Sequence, residues 1–104
     1  MKKEIEFTRK VRLNEILKDG YSIPKYCSQL IVNEMGFGEN IKLRYSGKDE
    51  FKGGYIFYYF NIYDSNFENA KIKAGEYSVL VNINSDIVYL LVRGFRDEIN
   101  GSHN

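Results

Sequence analysis

Residues Glu4 to Val11 alternate, with Ile5, Phe7, Arg9 and Val11 on one side and Glu4, Glu6, Thr8 and Lys10 on the other. That period of two predicts a half-buried strand. From Arg12 to Asp19 the spacing turns helical, with Leu13, Ile16 and Leu17 on one stripe and Gly20 where a C′ glycine would end a short helix. A stronger helical signal follows. Ser22 stands at an N-cap position and Pro24 in the first turn, with Ile23, Cys27, Leu30, Ile31 and Met35 on one stripe ended by Gly36. Tyr21 and Tyr26 fall at the two positions of a hydrophobic staple. The pattern predicts a helix from Ile23 to Met35.

After Gly36-Phe37-Gly38 the alternation returns. Ile41, Leu43 and Tyr45 oppose Lys42, Arg44 and Ser46 in a second strand, and residues 46–54 read as a polar, glycine-rich loop. Tyr55 to Tyr63 predicts a third strand with no polar side: Tyr55, Phe57, Tyr59 and Tyr63 lie on one face, Ile56, Tyr58, Phe60 and Ile62 on the other. Residues 64–75 fit either a weak helix, through Phe67, Ala70, Lys71 and Ala74, or a loop. Tyr77 to Ile83 and Ile87 to Arg93 read as a hairpin around Asn84-Ser85-Asp86, with Ile83/Ile87, Val81/Tyr89 and Val79/Leu91 as cross-strand pairs. The expected order is β-α-α-β-β-β-β: an α+β domain over residues 1–96, with an antiparallel sheet of about five strands, two N-terminal helices on one face, and a polar, disordered tail over 97–104.

Strands 55–63 and 87–93 are apolar on both sides, which marks them as central. A helix of 13 residues spans only about 20 Å at about 1.5 Å per residue, so with the short first helix it covers one face of a small sheet. The second face then curls into a partial barrel, lies under residues 64–75, or stays open for a partner. The expectation adopted is the open face.

Composition adds little chemistry. Fifteen Lys and Arg against fourteen Asp and Glu leave a net charge of +1, so no bulk field selects a polyanion or an anionic membrane. Ile, Asn, Lys, Tyr and Phe make up 47 of the 104 residues, the signature of a low-GC genome, and this inflates Tyr and Phe without any functional cause. The single cysteine forms no internal disulfide, and the N-terminus lacks the apolar core of a signal peptide. The longest apolar runs, 55–60 and 87–92, fall far short of the roughly 20 residues that span a bilayer. A cytoplasmic protein without membrane association is expected.

Catalytic sets fail on inspection. His103, the only histidine, is the penultimate residue and too poorly anchored to serve as a general base. Cys27 sits on the apolar stripe of its helix, as a buried core thiol does. Asp64-Ser65-Asn66-Phe67-Glu68-Asn69 begins like a calcium loop, but Asn69 replaces the turn glycine and Gly75 the bidentate acid. Gly36-Phe37-Gly38 follows a helix rather than a strand, with Ile41 at the third glycine position of a dinucleotide loop. The pairs Glu4/Glu6 and Asp97/Glu98 have no companion group to split their pKa values. Leu13 to Met35 resembles a helix-turn-helix, yet the exposed side of its second helix is mixed in charge rather than basic. No catalytic residue, metal or cofactor is assigned.

Lys52-Gly53-Gly54-Tyr55-Ile56-Phe57-Tyr58-Tyr59-Phe60 resembles the aromatic strand with which RNA-recognition modules stack bases. Tyr55, Phe57 and Phe60 fall on aromatic positions, whereas Gly53 replaces the leading basic residue and Ile56 the small one. That resemblance implies single-stranded nucleic acid as a partner, with Lys42, Arg44, Arg93 and Arg96 contacting phosphates. The near-neutral charge and the tyrosines instead favour a protein partner. The leading expectation is a non-enzymatic protein-binding module that docks its partner, or a second copy of itself, through Tyr55, Phe57, Tyr59 and Tyr63, flanked by the same four basic residues. Its small size would suit a phage or mobile-element accessory protein that inhibits a host defence factor.

Overall fold

A computed structural model describes residues 2–37, 41–64 and 73–97. Strand β1 (Lys2–Arg12) leads into α1 (Leu13–Lys18) and α2 (Ile23–Met35), followed by β2 (Ile41–Tyr45), β3 (Glu50–Lys52), β4 (Tyr55–Asp64), β5 (Lys73–Asn84) and β6 (Ile87–Asp97). The fold is α+β. All strand pairs are antiparallel, in the order β1-β6-β5-β4-β2, with β3 also paired to β4.

The punctuation around α2 acts as its residue types require. Ser22 Oγ accepts the Lys25 N–H at 3.2 Å, Pro24 occupies the first turn, where no intrahelical N–H bond is needed, and Gly36 closes the helix in the left-handed conformation. Cys27 and Ile31 of α2 and Ile16 of α1 are sealed against the sheet. The sheet supplies Tyr58, Phe60 and Ile62 of β4, Tyr77, Val79 and Val81 of β5, and Val88, Leu90 and Val92 of β6. These side chains share one face, because the register sets Tyr58 opposite Val79, Val79 opposite Val92, and Val92 opposite Phe7.

Three expectations change. Among the described residues the sheet has six strands rather than about five, because residues 46–54 contain β3. Gly53 and Gly54, both at positive φ, make the tight two-residue turn that folds Glu50–Lys52 back on β4. The β5–β6 hairpin also turns on two residues, not three. Ser85 takes a positive φ of 61°, Asn84 pairs with Ile87, and the true partners are Ile83/Val88, Val81/Leu90 and Val79/Val92. Finally, Asp64 ends β4 and residues 73–75 begin β5, so neither belongs to a loop or helix. The rest of the 64–75 segment, and residues 98–104 of the expected tail, lie outside the described residues.

Gly94 has a role that its sequence context does not announce. It lies opposite Tyr77, whose ring packs across it, and a Cβ at this position would stand 2.8 Å from the Tyr77 Cα and nearer still to the ring. The missing side chain is what lets the large Tyr77 ring lie flat in the core.

Candidate functional site: the helix-free face of the sheet

On the face opposite the helices the register assembles rows that run across the strands. One row is Thr8, Leu91, Leu80, Phe57 and Glu50, each directly opposite the next. A second contains Lys10, Tyr89 and Asn82, with Lys52 opposite Tyr55 at its far end. On the other side of the first row, Glu6, Arg93, Ser78 and Tyr59 form a third, and Glu4, Phe95, Glu76, Asn61 and Arg44 a fourth. Leu91, Leu80 and Phe57 form an unbroken apolar strip, half-buried only by one another and their neighbours. Tyr55 and Tyr89 beside them are 42% and 41% exposed. Among the described residues no helix or strand packs on this face.

Shallow concavities tile the surface. One of about 490 Å³ lies over Thr8, Lys10, Tyr55, Leu80, Tyr89 and Leu91, and another of about 660 Å³ over Glu50, Tyr59, Tyr63, Arg44 and Asn61. A third, of about 440 Å³, is bounded by Glu4, Glu6, Arg93 and Phe95.

The polar groups are interleaved in sign. Arg93 Nε lies 3.4 Å from Glu6 Oε1, and both side chains are well exposed. The Arg44 guanidinium stacks 5.0 Å over the Tyr63 ring and Lys10 Nζ sits 5.8 Å over Tyr89. The Tyr59 hydroxyl donates to Glu50 Oε1 at 2.8 Å, and this bond, which stabilises the protonated phenol beside a carboxylate, raises the Tyr59 pKa. At the β2 edge, but on the helix-covered side, Tyr45 donates to Asp49 and packs on Tyr58 and Phe60 with ring centroids 5.9 and 5.5 Å away.

Of the residues singled out in the sequence, Tyr55, Phe57, Tyr59, Tyr63, Arg44 and Arg93 meet on this face, and Lys42 lies opposite Tyr63 at its edge. Arg96 stands opposite Gly75 and Lys3, at a register position that alternates with that of Arg93. Sequence reasoning missed Leu80, Leu91, Tyr89 and Phe95. Leu80 was detectable as the one apolar side chain among Ser78 and Asn82 on the polar side of β5, but the three-residue turn set Leu91 against Val79 instead.

Elsewhere, burial pushes the Cys27 thiol up to about 12, so it is protonated and inert at neutral pH. Among the described residues no cluster of His, Cys, Asp or Glu has the makings of a metal site, and no helix is long and apolar enough to cross a membrane. No known protein family, curated protein or solved structure matches the chain.

Proposed function

We propose that the protein is a binding module whose helix-free sheet face docks a protein partner, acting by occupancy rather than catalysis. The observation that carries this reading is the apolar strip of Leu91, Leu80 and Phe57, flanked by Tyr55, Tyr59 and Tyr89 and left uncovered by every described element. Contiguous apolar surface rimmed by polar groups is what protein interfaces use, and tyrosine supplies large contact area at low entropy cost. The interleaved charges favour a protein over a polyanion. Carboxylates of Glu4, Glu6, Glu50 and Glu76 share the face with Lys10, Arg44, Lys52 and Arg93, and Glu6 already engages Arg93. The matching surface is an apolar ridge bordered by charges of both signs. In a phage or mobile element, such a module would serve as an inhibitor that covers a working surface of a host defence factor.

Affinity capture from a lysate of the source organism, run with the wild type, Tyr59→Ala and Leu80→Ser, tests the reading. The expected result is a protein held by the wild type and released by both variants, each of which stays folded. Equal capture by all three contradicts it. The nucleic-acid alternative draws on the Arg44–Tyr63 stack beside Lys42. A single-stranded oligonucleotide that binds at low salt, weakens steeply as salt rises and is lost in Arg44→Ala would replace the protein reading with that one.

A further inference from the structure

The two edges of the sheet are built differently. At one edge β4 is bordered by two short strands, β2 of five residues and β3 of three, separated by a loop. At the other, β1 runs for 11 residues in unbroken register with β6, without proline or bulge, and among the described residues pairs with nothing else. Long regular edges are usually blunted, because their unpaired N–H and C=O groups template association.

The parity of these groups follows from the ladder. A two-residue hairpin closes on a hydrogen-bonded pair, here Asn84/Ile87, and such pairs alternate along antiparallel strands. Residues 88, 90, 92 and 94 of β6 therefore bond β1 through Val11, Arg9, Phe7 and Ile5. The backbone groups of Glu4, Glu6, Thr8, Lys10 and Arg12 then point out of the sheet. Two contacts agree: the Leu13 N–H donates inward to Asp86 O at 2.7 Å, whereas Thr8 O accepts from the Arg9 guanidinium at 2.9 Å rather than from β6.

Those outward residues read Glu, Glu, Thr, Lys, Arg, a sequence complementary to its own reverse. We infer that β1 pairs antiparallel with β1 of a second copy about a two-fold axis at Thr8, joining two sheets edge to edge. In this register Glu4 meets the other copy's Arg12, Glu6 meets Lys10 and Thr8 meets Thr8. On the helix side Ile5 meets Val11, and Phe7 meets Arg9, a residue that already lies over the Phe7 ring of its own chain at 5.1 Å. Neighbouring registers of the same parity pair fewer opposite charges. Centring on Glu6 or Lys10 sets like charges together, centring on Phe7 keeps only Glu4 with Lys10, and centring on Arg9 keeps only Glu6 with Arg12 while opposing two guanidiniums, each already held by its own Glu34. The favoured register forms about ten backbone hydrogen bonds, two for each hydrogen-bonded pair. The second lone pair of Thr8 O remains free for its partner amide. Glu6 and Lys10 exchange weak contacts with Arg93 and Tyr89 for direct charge pairs.

Sedimentation of the full chain tests this. The wild type is expected to run as a dimer of twice 12.2 kDa that weakens as salt rises. The double variants Glu4→Lys with Glu6→Lys, and Lys10→Glu with Arg12→Glu, should each lose self-association by at least about tenfold. Mixed one to one they should form a heterodimer, a gain that a merely misfolded variant does not produce. Thr8→Pro, which removes an outward N–H on an edge strand, should be a folded monomer. A monomeric wild type, undiminished self-association of either double variant, or failure of the mixture to pair overturns the proposal. Leu80→Ser separates this question from that of the open face. It should leave the dimer intact, and loss of the dimer in Leu80→Ser with retention in the charge variants would mean that the copies meet face to face, overturning the edge contact.

Discussion

Within β4, Phe60 is fully buried while Phe57, three residues earlier, is only half-buried, and Tyr58 is 7% exposed while Tyr55 is 42% exposed. Residue type is the same on the two sides; the neighbours differ. Phe60 and Tyr58 lie under α1 and α2 among Ile16, Cys27 and Ile31, whereas Phe57 and Tyr55 are flanked only by side chains of adjacent strands. One face of the sheet therefore seals its apolar side chains completely. The other presents the same apolar chemistry only partly covered.

That contrast is sharpest at Phe60. Phe60→Ala should cost about 3–5 kcal/mol, a large fraction of the roughly 5–15 kcal/mol that holds a domain together, as read from urea unfolding. Gly94→Ala should follow at about 1–3 kcal/mol or above, because its methyl group has to displace the Tyr77 ring and backbone. On the open face, where Phe57 and Leu80 are partly covered, Phe57→Ala and Leu80→Ser should cost about 1–2 kcal/mol, well under Phe60→Ala, while abolishing capture of the partner. If either loses as much stability as Phe60→Ala, the open face is core and the contrast collapses.

A smaller effect appears on titration at high pH, to which Tyr59 of the open face, raised by its bond to Glu50, also contributes. The Cys27 thiol, with an ordinary pKa near 9, is pushed to about 12 by burial, and burial also raises that of Tyr58. A folded-state pKa above the unfolded value stabilises the fold fully below the unfolded pKa and loses that contribution as pH rises through the folded one. Stability should therefore decline between about pH 9 and 12, and Cys27→Ala should flatten the onset of that decline. Native Cys27 should react with a thiol reagent at neutral pH only as fast as the protein unfolds. Rapid labelling would show that the helix-covered face is open.

The parts of this arrangement legible in the sequence are those with local causes. Helix α2 begins and ends where Ser22, Pro24 and Gly36 place it, and the two sides of β4 follow from simple alternation. The short first helix and the grouping of helices before hairpins were equally readable, and they carry the α+β class. What escaped depends on turn geometry or on distant partners. β3 has three exposed residues and no apolar rhythm, and only the left-handed Gly53-Gly54 turn defines it. Ser85 in a left-handed conformation shortens the β5–β6 turn by one residue, which reassigns every partner and hides the Leu80–Leu91 pair. Gly94 has an ordinary strand neighbourhood, and its need for no side chain arises from Tyr77 on another strand. The candidate face was thus half visible: its β4 aromatics by alternation, its β5 and β6 residues only through the register.

Val79 and Leu80 stand next to each other on β5, and their side chains alternate to opposite faces, Val79 fully buried and Leu80 partly exposed. Urea unfolding of Val79→Lys beside Leu80→Lys measures the central claim with a single chemical change moved by one residue. An ammonium group forced among Val92, Tyr58 and Phe7 has no partner and should unfold the domain, whereas at position 80 it reaches water and should leave a cooperative transition close to that of the wild type. Comparable collapse of both variants would contradict the account, because it would mean that the second face is as buried as the first.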